Sequence, residues 1–370
     1  MKLIDEGTGM SYRRTEARTA YIEWAKLHAG AKYNLAASGV KGVPLSELQV
    51  KLDELELSAA GNYGYPPLLE RLAVRYGVAR KNVATAIGTS MANYLAMSAV
   101  LEPGDEVIIE TPAYDPMVEV GHYLGAVVKR IRRRPEHGWQ VQIEELESMV
   151  SRKTRLIVLT NLHNPTGALL EEEKLRAIGD VAKRVGAHVL VDEVYLELLF
   201  DRPFRSAFHL GEHFLVTSSL TKAYGLSGLR CGWILAAPEL VERMCRQNDL
   251  FGNIPAHITD LLSVIALDHL GAIRERAKEL LERNWKLLDA FLAGNPELDV
   301  VRPRGGTMVF AKVPGGDGDA FAERLREKYE TSVVPGRFFG MPEWIRIGVC
   351  NGSDEVEKGL RRLGQSLKES

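Results

Sequence analysis

The sequence predicts an α/β protein in which a mainly parallel sheet is sandwiched by helices and joined to a smaller α+β unit. Three observations lead there. Short Val/Ile/Leu-rich runs alternate with helical patterns through the first two thirds of the chain, as strands buried on both faces of a parallel sheet do. Beyond about residue 250 that alternation gives way to long helical patterns and then to separate strands. At 370 residues the chain also exceeds one ordinary core, and about two domains follow.

Taken in order, the buried-strand candidates are Glu106 to Glu110, Arg155 to Thr160, His188 to Asp192, Phe214 to Ser218 and Gly232 to Ala236. An apolar helical pattern runs from Ala92 to Leu101. Glu171 to Val185 reads as a helix, with acidic residues in its first turn and Lys183-Arg184 in its last, as the helix dipole prefers. Helical patterns cover roughly 256–293, and the charge-laced stretch from Arg274 to Glu279 reads as a solvated face. Met308 to Val313 and Trp344 to Val349 are predicted strands of the smaller unit. The first forty or so residues carry no cofactor signal and are expected to pack with this unit or reach a neighbour. No internal repeat or low-complexity linker interrupts the chain.

Composition narrows the function. Hydrophobic residues at 45% and charged residues at 26% are ordinary for a globular protein. A net charge of -2 argues against nucleic-acid and membrane-surface partners, which call for a basic excess. The basic run from Lys129 to Arg134 is read as the polar end of a strand and its turn. Three cysteines (Cys231, Cys245, Cys350) lack metal-ligand spacing and fit reduced, mostly buried thiols. No stretch has signal-peptide or bilayer-spanning character, so the expected location is the cytoplasm.

Chemistry concentrates in Ser218 to Gly232. Lys222 stands there among small hydroxyl residues and glycines, with Arg230 eight positions later. An amine nucleophile needs desolvation or neighbouring positive charge to be free near neutral pH. A guanidinium donates a bidentate fork suited to phosphate. A lysine for an aldehyde, with hydroxyls and an arginine for a phosphate, describes the two ends of pyridoxal 5'-phosphate (PLP).

Other stations fall where open α/β sheets bind ligands, beyond the carboxyl ends of strands. Gly88-Thr89-Ser90 precedes a helical pattern, offering a tight turn, hydroxyls and amides to a phosphate. Asn161 to Gly167 contains Asn164-Pro165-Thr166-Gly167, either a plain β-turn or a side-chain amide aimed at a ring oxygen; His163 is read as local structure. Asp192 could cap a turn or hold a pyridine nitrogen protonated, and each tenfold preference for the charged ring is worth about 1.4 kcal/mol. Tyr195 follows three residues on, and Tyr114 in Pro112-Ala113-Tyr114 offers an aromatic face.

These segments, in this order, resemble the class I/II aminotransferases of the fold-type I PLP enzymes. The resemblance runs from about Gly61 to Gly348 through Gly-Thr-Ser, Pro-Ala-Tyr, Asn-Pro-Thr-Gly, Asp-Glu-Val-Tyr and Ser-Leu-Thr-Lys. It implies a seven-stranded type of sheet and a division into an N-terminal arm with part of the small domain (1–48), a large PLP-binding domain (49–280) and a C-terminal small domain (281–370). By position, Lys222 would link to the cofactor aldehyde and later carry the proton. Asp192 would pair with the pyridine nitrogen, while Asn164 and Tyr195 contact the phenolic oxygen and Tyr114 stacks on the ring. Gly88, Thr89, Ser90, Ser219 and Arg230 would surround the phosphate. Arg346 would fork the substrate α-carboxylate, beside Asn164 and Gly39.

Tyr63, with Tyr65 as the alternative, and Asn253 match residues that family members lend to a neighbouring active site, which implies a homodimer with shared sites. The sequence also departs from the family. Its Gly-x-Pro near the substrate is replaced by Leu35 to Val40, leaving Ser38 or Gly39 as the match. The branch specific for dicarboxylates has an arginine where this chain has Asn248. The expected activity is amino-group transfer between an L-amino acid and a 2-oxo acid. The alternatives are other fold-type I reactions on an amino acid: a C–S β-lyase, a cyclase-like synthase or a decarboxylase.

Overall fold

The computed structural model describes residues 3–4, 11–58, 62–203, 205–252 and 255–369. Seven strands form the main sheet: β1 (Val83–Ile87), β2 (Glu106–Thr111), β3 (Val127–Arg132), β4 (Thr154–Thr160), β5 (His188–Asp192), β6 (Phe214–Ser219) and β7 (Cys231–Leu235). Their spatial order is β1-β7-β6-β5-β4-β2-β3. β7 runs antiparallel to both neighbours, and the other pairings are parallel. The helices that shape the site and the cores are α1 (Ala20–Leu27), α2 (Gly88–Ser98), α3 (Glu172–Val185), α4 (Leu270–Ala293), α5 (Gly318–Tyr329) and α6 (Ser353–Leu367).

The apolar runs form strands because both faces of each are covered. In β4, Ile157 and Leu159 join the core on one face while Leu156 and Val158 join the core on the other. The period of two sends successive side chains to opposite sides, so an unbroken apolar run is what a two-sided strand needs. The crossover helices supply the cover. Among them α3 buries Leu175, Ile178, Val181 and Ala182 along one stripe and stops at Gly186, whose positive φ of 73° lets its N–H reach the Ala182 and Lys183 carbonyls.

The topology fixes where the site forms. β1, β2, β4, β5 and β6 deliver Ile87, Thr111, Thr160, Asp192 and Ser219 to one edge of the sheet. Because β7 runs the other way, its start, preceded by Arg230, comes to that same edge, with Cys231 opposite Ile87 and Gly232 opposite Ser219.

The smaller sheet is antiparallel: β8 (Asp299–Val300), β9 (Met308–Lys312), β10 (Val334–Pro335) and β11 (Trp344–Gly348), in the order β8-β9-β11-β10. It packs beneath α5 and α6 around Val309, Ile345, Ile347, Leu325 and Leu363. Residues 33–41 tie the two sheets together. Tyr33–Asn34 pairs with Thr331–Ser332, Leu35 sits in the small core, and the Val40 N–H donates to the Lys222 carbonyl at 2.9 Å. Helix α4 enters both cores, with Ala277 and Leu281 in the larger and Leu288 in the smaller.

Three details differ from the sequence reading. The helix expected over Ala92 to Leu101 is α2, spanning Gly88–Ser98, because it begins on Gly88 itself. The basic run is no solvated strand end throughout: Arg133 is fully buried, donating from Nη1 to Glu110 Oε2 at 2.7 Å and from Nε to the Trp139 carbonyl. A carboxylate hidden on β2 draws that guanidinium inward, a partner that local composition does not reveal. The N-terminal segment also reaches the candidate site, through helix α1.

Candidate active site

A cavity of about 280 Å³ opens at the carboxyl edge of the main sheet. Nine of the residues singled out in the sequence line it: Ser38, Thr89, Ser90, Tyr114, Asn164, Asp192, Tyr195, Lys222 and Arg230. Four others stand directly behind it. Ser219 Oγ accepts from Thr89 Oγ1 at 2.7 Å, and Arg346 Nη1 donates to Asn164 Oδ1 at 2.9 Å. Gly39 lies against the Lys222 stem, where an added Cβ would sit 3.3 Å from the Thr221 carbonyl oxygen. Gly88, at φ +74°, leaves room for Arg230; a Cβ there would collide with its Nη2.

The sheet positions the charged pair. Asp192 ends β5 and is buried, with Oδ2 accepting from Asn93 Nδ2 at 2.9 Å and Oδ1 from the Val194 N–H at 3.0 Å. Thr217 Oγ1 in turn donates to Asn93 Oδ1 at 2.5 Å, which orients the amide. Burial pushes the Asp192 carboxyl up to about 6, against the opposing pull of Asn93, the Val194 N–H and the Lys222 charge. Lys222 follows β6, and its Nζ donates to Ser38 Oγ at 3.0 Å. Burial raises the Tyr114 phenol to about 12 and raises that of Tyr195 as well.

Beneath the cavity, Glu110 holds Arg133 and accepts from the Thr160 N–H at 2.6 Å, fixing the end of β4. His163 is buried, bonded to Thr166 Oγ1 and to the Pro112 carbonyl, and kept neutral first by burial and then by the Arg133 charge. It serves local structure, as its surroundings in the sequence suggested.

Two predicted residues are not brought here. Tyr63 is 60% exposed and donates to Asp249 Oδ2 at 3.0 Å, outside the cavity. Asn253 lies outside the described residues. Conversely, sequence reasoning missed Asn93, Tyr21, Ile22 and Ala25, all of which line the cavity. Asn93 was legible in principle: it stands four residues after Thr89 on α2, hence on the same helix face. Tyr21 had no such signal, because an aromatic residue in an amphipathic helix is ordinary packing in most chains.

The family model for aminotransferase class I and II matches residues 45–363. The chain belongs to this family. Among its relatives, capreomycidine synthase of Streptomyces vinaceus is 30% identical over 91% of this chain and 90% of its own length. The arginine–pyruvate transaminase of Pseudomonas aeruginosa is 30% identical, with 86% of each chain covered. A PLP-dependent aminotransferase from Streptococcus suis superposes with a TM-score of 0.90 at 28% identity, covering 95% of this chain and 98% of that one. A Thermus thermophilus aspartate aminotransferase double mutant gives 0.86 at 25%, covering 96% and 99%. The chain is thus a PLP-dependent aminotransferase of the fold-type I architecture.

The residues present fit that cofactor. An ionised carboxylate offers about four acceptor positions. Asp192 spends two on Asn93 and Val194, leaving capacity toward the cavity for a ring N–H. The amino end of α2, the Thr89 and Ser219 hydroxyls and the Arg230 guanidinium supply the donor set of a phosphate site. A primary amine, Lys222, faces the same space.

Proposed function

We propose that this aminotransferase binds an L-amino acid in the cavity between Lys222 and Arg346 and passes its amino group to a 2-oxo acid. One observation carries the assignment of roles. An amine just beyond one strand and a carboxylate at the end of its neighbour share a single cavity, with a buried guanidinium behind it. Lys222, Asp192, Asn164, Tyr195 and Tyr114 would hold the ring, and Gly88, Thr89, Ser90, Ser219 and Arg230 the phosphate. When bound, the cofactor supplies the electron sink that stabilises charge at the substrate Cα.

The chain's own residues do the rest. Arg346 and Asn164, bonded to each other at 2.9 Å, orient the α-carboxylate and so the Cα–H bond. Lys222 takes the proton from Cα, and its 3.0 Å bond to Ser38 keeps the amine directed into the cavity. The carboxylate of Asp192 would hold positive charge at the ring nitrogen of the bound cofactor. Tyr195 and Asn164 act as neutral hydrogen-bonding groups, since burial keeps the Tyr195 phenol protonated.

We also take the active form to be a cytoplasmic homodimer with shared sites. Tyr63 and the neighbouring Leu250 and Phe251 are exposed at 60%, 78% and 55%, as residues awaiting a partner surface would be. Sedimentation at twice the 41.1 kDa chain mass is the expected result. The boundaries at residues 48 and 280 remain the proposed domain limits.

The deciding experiment presents a panel of amino acids to the holoenzyme and follows its visible absorbance. Conversion by some of them, reversed by a 2-oxo acid, establishes transamination. A second reading, a synthase acting on an amino acid, rests on the likeness to capreomycidine synthase over nine tenths of the chain. It would show turnover of a single amino acid with no reversal by 2-oxo acids.

A further inference from the structure

Arg346 is fully buried, and both terminal nitrogens are engaged: Nη1 with Asn164, and Nη2 with the Ala36 carbonyl at 2.8 Å and the Tyr21 hydroxyl oxygen at 3.0 Å. Among the described residues, Tyr21 and Asn164 line the cavity and Arg346 stands behind them. A molecule entering therefore meets the Tyr21 phenol before the guanidinium. Arginine has only donors, so the phenol oxygen accepts in this pair and its own proton stays available. No described residue accepts that proton.

The ring is not free to swing. It packs edge-on to Tyr114 and Phe338 with centroids 5.7 and 5.9 Å apart, against Phe339 at 5.9 Å and along Trp24 at 6.5 Å. Asp115 Oδ2 also accepts from the Tyr21 backbone N–H at 3.3 Å, tying α1 to the large sheet's side of the cavity. Burial would raise the phenol's pKa, yet the Arg346 and Lys222 charges leave it lowered, which makes it a stronger donor.

We propose that Tyr21 is a substrate-binding residue whose hydroxyl accepts from Arg346 and donates its proton to the α-carboxylate of the bound amino acid. The proposal rests on the cavity being an amino acid site. It makes the carboxylate pocket a three-residue device of Arg346, Asn164 and Tyr21, with the last supplied by the N-terminal helix. The rival reading is a plug: a phenol that fills the carboxylate position and must leave. The two predict opposite signs when the hydroxyl is removed.

The test uses the holoenzyme and Tyr21→Phe, which keeps every ring contact. A hydrogen bond to a charged group accounts for about a tenfold or larger change in affinity. KM for the best amino acid should rise about tenfold or more, with kcat within about twofold and the bound-cofactor spectrum unchanged. Calorimetric titration with propanoate, a carboxylate without an amino group, should show the same loss of affinity. The amine formally derived from that amino acid by loss of its carboxylate should react equally with both proteins. An unchanged or lowered KM, or unaltered propanoate binding, overturns the proposal and leaves Tyr21 as packing or a plug. A wild-type holoenzyme that converts no amino acid overturns the transaminase reading instead.

Discussion

The two walls of the cavity are built by different means. One wall is the edge of the main sheet, where Asp192 and Ser219 end neighbouring strands and are held by the Val194 and Thr221 N–H groups two residues on and by Asn93 and Thr89 from helix α2. The other is assembled from Tyr21, Ser38 and Arg346, tied by bonds that span 325 residues from Arg346 to Tyr21 and 184 from Lys222 to Ser38. The difference teaches a division of labour. On the proposed roles, groups that would tune a cofactor sit on the sheet, whereas groups that would meet the substrate come from separate parts of the chain.

Breaking the sheet wall should cost most. Lys222→Ala should remove the visible absorbance of the bound cofactor and lower turnover by about 10⁴-fold or more, measured by single-turnover kinetics. Asp192→Ala should keep much of the cofactor but reduce kcat by about 10²- to 10⁴-fold. The second wall should answer differently. Arg346→Ala should raise KM about a hundredfold while cofactor affinity stays near normal, since it removes the buried cation proposed to stand behind the substrate carboxylate. If it instead released the cofactor, the division between the walls would collapse. Asn93→Ala should act through Asp192 and lower kcat by about tenfold, with KM little moved.

The smallest expected effect is a pH signature of the apoprotein. Asp192 has a folded pKa of about 6 against about 3.9 for a free aspartate, so the folded state binds the extra proton between those values. Stability from this group is therefore greatest below about pH 4. It falls as pH rises toward 6 and is lower by about 3 kcal/mol above that. Thermal unfolding of the apoprotein against pH, with Asp192→Ala as reference, should show that fall. A flat difference would mean the carboxylate is better solvated than its burial implies.

The same contrast explains what could be read from the sequence. β4 and β5 announced themselves because both faces are buried, and their end residues, Thr160 and Asp192, could be placed at one edge from the parallel topology alone. The roles suggested for Lys222 and Arg230 followed from residue type beside glycine. Tyr21 could not be found this way, since nothing local distinguishes a phenol that meets a guanidinium 325 positions away from one that simply fills a core. Arg133 escapes a local reading for the same reason: its partner Glu110 lies 23 residues back on another strand.

Helix α4 joins what the two walls divide. Its 24 residues make a rod about 36 Å long, planted at one end among Ala277 and Leu281 and at the other around Leu288. Cutting the chain near position 280 would strip each half of part of its own interior, so neither fragment should stand alone. Because this shaft is common to both interiors, thermal unfolding of the apoprotein should pass through one cooperative step.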